Sequence, residues 1–144
     1  MEIEGGEALR RALKGLDLPE RCAVVEASTA VADWSEAKEV MMRSFAISQR
    51  AAIAEAPIVY VVHGDDLLGR RGAASAMVAT GLLSAARTAA IELSRKGAVV
   101  NVVAVGDATP PEVTAHWISL LTDPSGPTGE VIHLDPTHLG KALP

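Results

Sequence analysis

Aromatic side chains are scarce in this sequence, 3% of 144 residues. A core without rings must be filled by Ala, Val, Leu and Ile, and the small members of that set let helices approach closely. Cysteine is nearly absent. Cys22 stands alone, which excludes an intrachain disulfide and a multi-cysteine metal site. It opens an apolar run and reads as a small buried hydrophobe. Basic charge is in deficit, with a net charge of −5 and a pI near 5.3. No basic stripe with interleaved aromatics is present, so nucleic acid is not an expected partner. The acidic start Met1-Glu2-Ile3-Glu4 lacks the charged and apolar regions of a secretory signal. The longest charge-free stretch, 72–86, is too short to span a bilayer. The expectation is a soluble, cytoplasmic protein that does not engage membranes.

What the chain does contain is an alternation of short apolar runs with longer helical patterns. Residues 6–15 read as a short helix with Leu9, Ala12 and Leu13 on one face, broken by Leu16-Asp-Leu-Pro19. Residues 22–27 read as a strand. Asp33 or Ser35 can cap a long helix to about Glu55, with Val40, Met41, Ser44, Phe45, Ser48, Ala51 and Ala52 recurring at three and four. Pro57 stops it. Ile58-Val-Tyr-Val-Val62 is a β-branched run of the kind buried on both faces of a sheet.

A polar, Gly-rich loop follows over 64–72. A second long helix runs from about Ala73 to Lys96 and ends at Gly97. Residues 98–105 form another apolar strand. Pro110-Pro-Glu112 opens a helix through Leu121, with proline in the first turn where it is tolerated. Residues 128–134 are the last strand. The alternation predicts one α/β domain over 1–144, a parallel sheet of about four strands flanked by helices and joined by right-handed crossovers.

Several segments carry a family resemblance. Gly81-Leu-Leu-Ser-Ala-Ala-Arg-Thr-Ala-Ala-Ile-Glu-Leu93 resembles the long helix after the active site of short-chain dehydrogenases/reductases. Gly97-Ala-Val-Val-Asn-Val-Val-Ala-Val-Gly106 is similar to that family's strand ending in Asn-x-x-x-Pro-Gly, with Val105 in place of Pro. Leu120-Leu-Thr-Asp123 and Thr128-Gly-Glu-Val-Ile-His-Leu-Asp135 resemble its C-terminal signature, with Pro136-Thr137 where a Gly pair is usual. Residues 22–29 and 34–55 resemble the strand ending in Asn-Asn-Ala-Gly and its following helix. The resemblance covers about Arg21 to His138 and is closest to members that reduce 3-oxoacyl thioesters. It implies a partial Rossmann-like sheet, truncated relative to the family.

The departures from the pattern concern the chemistry. The family's Gly-rich phosphate turn after the first strand has no counterpart, because only four residues precede Gly5-Gly6. The resemblance therefore implies that the first three strands are missing and that the strand at 22–27 is an edge. The family's catalytic Ser falls at His63 or Gly64, its Tyr at Ser75 and its Lys at Ala79. Its structural Asn falls near Met41. The sole tyrosine, Tyr60, lies inside a strand. No cofactor and no hydride transfer are expected.

Three candidate features remain. His63 with Asp65 and Asp66 ends a central strand, where open α/β sheets place ligands. It is a possible cleft for a metal, a base or a small ligand, although a strand end with solvated loop charges is the simpler reading. Arg70 and Arg71 are expected to pair with those carboxylates or with a partner chain. His116, His133 and His138 lack ligand spacing. Ser75 reads as packing, and Trp34 and Trp117 as core or interface anchors. The helix after Ala73 has only Arg87 and Glu92 as charges before Arg95, so both its faces are expected to be covered. The resemblance places oligomer contacts on this helix, on the one before it and on the last helix and strand. Phe45, Ser48, Leu82, Ala86, Ala90 and Trp117 are the interface candidates. The resulting expectation is a non-catalytic subunit that forms homo-oligomers or sits beside a full-length short-chain dehydrogenase. The alternatives are a module binding an acyl-thioester or nucleotide fragment, and a residual oxidoreductase acting only within a hetero-oligomer.

Overall fold

The computed structural model describes residues 1–135. It contains β1 (Glu2–Glu4), α1 (Glu7–Leu13), β2 (Ala23–Ala27), α2 (Trp34–Ile53), β3 (Ile58–His63), α3 (Gly64–Leu67), α4 (Ala73–Ser94), β4 (Val100–Val105), α5 (Pro111–Leu121) and β5 (Val131–His133). All strands are parallel and lie in the order β1-β2-β3-β4-β5. The α/β parallel sheet expected from the sequence is present with five strands rather than four.

The extra strand is β1. Three residues are too few to show a period, yet β1 pairs with β2 from Glu2–Ala23 to Glu4–Val25. Two tertiary features hold it. Ile3 packs into the apolar layer that contains Leu9 and Leu13. On the other side, Glu2 pairs with Arg50 and Glu4 with Arg43, both from α2. The strand at 22–27 is consequently flanked on both sides, which corrects its expected place at the edge; β1 occupies the edge.

The pleat sorts the core into two layers. Ile58, Tyr60 and Val62 of β3 face α2 and α4 in one cluster, with Val100, Val102 and Ala104 of β4. Val59 and Val61 face α1 and α5 in the other, with Val103 and Val105. This placement overturns the expectation of uniform right-handed crossovers. Each connection advances one strand in the same direction, while α1 and α5 lie on the opposite face from α2 and α4. The α1 and α5 crossovers are therefore of opposite hand to the α2 and α4 crossovers. In a doubly wound sheet of order 3-2-1-4-5-6, the helix after strand 1 lies on the opposite face from those after strands 4 and 5. α1 and α5 on one face and α2 and α4 on the other give this sheet a comparable two-sided arrangement.

Local signals placed the remaining elements well. Asp33 Oδ1 accepts from Glu36 N–H at 2.9 Å, so Asp33 rather than Ser35 caps α2. Gly97 takes φ +76 just past α4, a conformation glycine adopts without penalty. Residues 64–67, expected as loop, form the single-turn α3. β5 is shorter than expected. α4 is long and apolar enough by composition to cross a membrane, contrary to the length argument from charge-free residues. Its Val78, Ala79, Leu82, Ala86, Ala90 and Leu93 instead pack in the chain's own core.

Candidate functional site

A cleft of about 390 Å3 opens at the carboxyl ends of β2, β3 and β4, between α1 and α5. Its accessible apolar lining is formed by Ala8, Ala30 and Pro111 over the buried Leu9, Val61 and Val105, and its polar groups come from the strand ends and the turns after them. Strand ends are where a parallel sheet exposes side chains that helices do not cover.

His63, the last residue of β3, lines this cleft and is buried. Its Nδ1 accepts from Asp65 N–H at 3.2 Å, capping α3. The ring proton therefore sits on Nε2, which faces Asp107 Oδ1 at 3.1 Å. Both nitrogens are engaged, so His63 has no lone pair free for a metal or for a substrate proton. Asp65 pairs with Arg70 at 2.9 Å. Asp66 is buried and receives Arg71 through two nitrogens, at 2.9 and 3.0 Å. The expected pairing of Arg70 and Arg71 with these carboxylates is present, whereas Asp66 is not the solvated loop charge of the simpler reading. The physical reason is α3, whose turn tucks Asp66 under Arg71. Among the described residues no group of three or more His, Cys, Asp or Glu side chains is placed to hold a metal ion.

The positions matching the family's catalytic set each have a packing or hydrogen-bonding role in the fold. Ser75 is buried, and its Oγ accepts from Val31 N–H at 2.8 Å, tying the loop after β2 to α4. Ala79 is buried in the core and carries no polar group. Met41 packs its terminal methyl toward Gly81, where a Cβ would lie 3.1 Å away. Tyr60 is buried within β3 and shares a 2.6 Å hydrogen bond with Ser48.

Glu26, Asp107 and Thr109 were not legible as site residues. A lone Glu in an apolar strand carries no motif, and its role depends on β1. Glu26 Oε2 accepts from Gly6 N–H at 2.7 Å, and Oε1 accepts from the Ser28 hydroxyl at 3.0 Å. A strand–Gly5–Gly6–helix unit, not expected from the four residues before Gly5, is thus present, but its amide is taken by an internal carboxylate. A Cβ on Gly5 would lie 2.8 Å from Glu26 Oε2. A dinucleotide diphosphate needs such amides free, with no negative charge beside them. The residues present do not fit that group.

The interface candidates divide. Leu82, Ala86 and Ala90 are buried against the sheet of their own chain and cannot meet another. Ser48 is half-buried and bonded to Tyr60, and Trp117 is half-buried on α5. Phe45 is 61% exposed, beside Met42 at 60%. Trp34 is exposed at the start of α2, and His116 on α5, while His133 lies in β5. His138 and the Pro136-Thr137 departure fall outside the described residues. Cys22 is buried as expected.

No family model and no curated protein matches the sequence. Solved structures do match. Acetoin dehydrogenase from Enterobacter cloacae is similar with a TM-score of 0.70 and 21% identity, over 79% of this chain and 62% of that one. A short-chain dehydrogenase/reductase of the glucose/ribitol dehydrogenase type from Brucella melitensis is similar with a TM-score of 0.66 and 20% identity, over 80% of this chain and 62% of that one. ElxO with NADP bound is similar with a TM-score of 0.61 and 15% identity, over 79% and 65%. The chain spans less than two thirds of the length of each of these structures. Together with the parallel sheet and its two helical layers, these likenesses give the chain the Rossmann-like fold of the short-chain dehydrogenases/reductases.

Proposed function

We propose that this chain is a non-catalytic, oligomer-forming subunit with a short-chain dehydrogenase fold. The observation that carries the reading is the outer surface of α2 and α4. Trp34, Met42, Phe45 and Ile53 follow one stripe of α2 and are exposed, and Met77 and Ile91 are exposed on α4. α4 therefore has apolar residues on the face away from the sheet as well as on the face against it. Six large apolar side chains exposed on two neighbouring helices offer a surface for association, and exposed apolar surface marks such sites in soluble proteins.

The exposed charges around it are of both signs, Lys38, Glu39 and Arg43 on α2 and Arg87 and Glu92 on α4. A surface without a dominant charge suits a second copy of itself, brought together about a two-fold axis. A full-length short-chain dehydrogenase presenting the equivalent helices is the alternative partner. The lack of an acid–base group at Ser75 and Ala79, and the carboxylate on the Gly6 amide, support a role without hydride transfer.

Sedimentation of the purified chain tests the assembly. A dimer or larger species is expected at micromolar concentration, and a 15.0 kDa monomer would overturn the reading. Calorimetric titration with NADH and NADPH tests the second half. No saturable heat is expected, and micromolar affinity would overturn the non-catalytic assignment.

A further inference from the structure

We infer that the cleft between α1 and α5 is a binding site for a small organic cation with an apolar body, an amine rather than a nucleotide or an acyl-thioester. The inference does not depend on how the chain assembles. The cleft's volume of about 390 Å3 lies within the range of small-molecule sites. Ala8, Ala30 and Pro111 offer the accessible apolar lining, with Leu9, Val61 and Val105 buried behind it.

The charges decide the ligand class. Among the described residues three ionic side chains line the cleft, Glu26, Arg71 and Asp107. Asp66 takes Arg71 Nε and Nη2, and Nη2 also reaches the Ser28 carbonyl at 2.8 Å, so the charge of Arg71 is compensated. His63 has both nitrogens engaged. Among the described residues nothing therefore offsets Glu26 and Asp107. Glu26 uses one lone pair of each oxygen on Gly6 and Ser28, and a carboxylate retains others. Asp107 is almost fully exposed, with His63 on one oxygen only. An ammonium group can meet these acceptors while its apolar part lies against Ala8, Ala30 and Pro111. Among the described residues a phosphate or carboxylate would meet two like charges and no unpaired cation. The chain's net charge of −5 reinforces the preference at long range.

Phenethylamine and its anionic counterpart 3-phenylpropanoate, matched in size, test the inference by amide chemical-shift titration. Saturable shifts at Gly6, Ser28, Gly106 and Asp107 are expected with the amine at millimolar concentration, and none with the acid. Glu26→Gln keeps an acceptor for Gly6, and Asp107→Asn keeps an acceptor for His63, so both variants should melt like the parent. Each should weaken the amine by roughly tenfold, the value of one charge-assisted hydrogen bond. No saturable shift with the amine, equal shifts with the acid, or unchanged affinity in both variants would each overturn the inference.

Discussion

Arg71 and Asp66 form a two-point ion pair in which the carboxylate is sealed and the guanidinium is not: their side chains are 2% and 21% exposed. The same guanidinium reaches the Ser28 carbonyl, so one side chain ties the turn after β3 to the turn after β2. The pair is therefore asymmetric under mutation.

Arg71→Ala strands a buried carboxylate and should cost about 3 kcal/mol, the loss expected when one partner of a buried pair is removed. Asp66→Ala should cost less, because Arg71 can turn its head to solvent. Urea denaturation of both variants checks the order. Equal losses would mean that Asp66 relaxes to water when its partner is gone.

Tyr60 is the sole tyrosine, which makes its titration readable. Burial pushes its phenol above the ordinary 10.0, while the hydrogen bond with Ser48 pulls the other way. The unfolded chain then loses the phenolic proton first as pH rises. Its contribution to stability is complete below about pH 10 and is lost as pH climbs through the raised folded value. Burial raises the Cys22 thiol in the same sense, so Cys22→Ala is the background in which to follow phenolate absorbance and stability together. A phenol titrating at its ordinary value would contradict the buried placement.

Asn101 ties the end of α5 and the segment before β5 to a buried position in β4. Its Nδ2 donates to the carbonyls of Leu121 at 3.0 Å and Pro127 at 2.8 Å, and its Oδ1 accepts from Glu130 N–H at 3.1 Å. Asn101→Ala leaves these backbone groups without that partner and should cost roughly 3 kcal/mol. Asn101→Asp retains the acceptor but buries a charge against two carbonyls, and it should be no better. Thermal unfolding measures both.

The outer stripe and the inner stripe of the helical layer should respond oppositely to charge. Met42→Glu with Phe45→Glu should give a folded monomer by sedimentation, with stability changed by no more than about 0.5 kcal/mol per exposed site. Ala86→Glu buries a carboxylate against the sheet and should unfold the chain rather than dissociate it. A folded Ala86→Glu monomer would place that residue at the surface.

Rebuilding the family's catalytic pair should fail for lack of room. Ser75→Tyr with Ala79→Lys inserts a ring and an ammonium at two buried positions on the inner face of α4. The double variant should lose its cooperative thermal transition, as followed by circular dichroism, and should show no turnover of 3-oxoacyl thioesters. A stable double variant would require α4 to shift away from the sheet.

Sequence by itself determined the elements that draw on local chemistry. The β-branched run at Ile58, the Asp33 cap, the stop at Pro57 and the glycine at 97 set strands and helices whose alternation required a parallel sheet. It also placed His63 at a strand end and Ser75 and Ala79 on one helix. Tertiary structure decided what those residues meet. β1 exists because Arg43, Arg50 and Ile3 find partners from distant segments, and three residues carry no period to announce it. The faces of α4 could not be assigned from a helix apolar all round, so Leu82, Ala86 and Ala90 went inward and left Met77 and Ile91 outside. Glu26 became the occupant of the Gly6 amide only once β1 lay beside β2. A hydrogen bond across twenty residues is a property of strand order, and strand order is fixed by which apolar faces can be buried together.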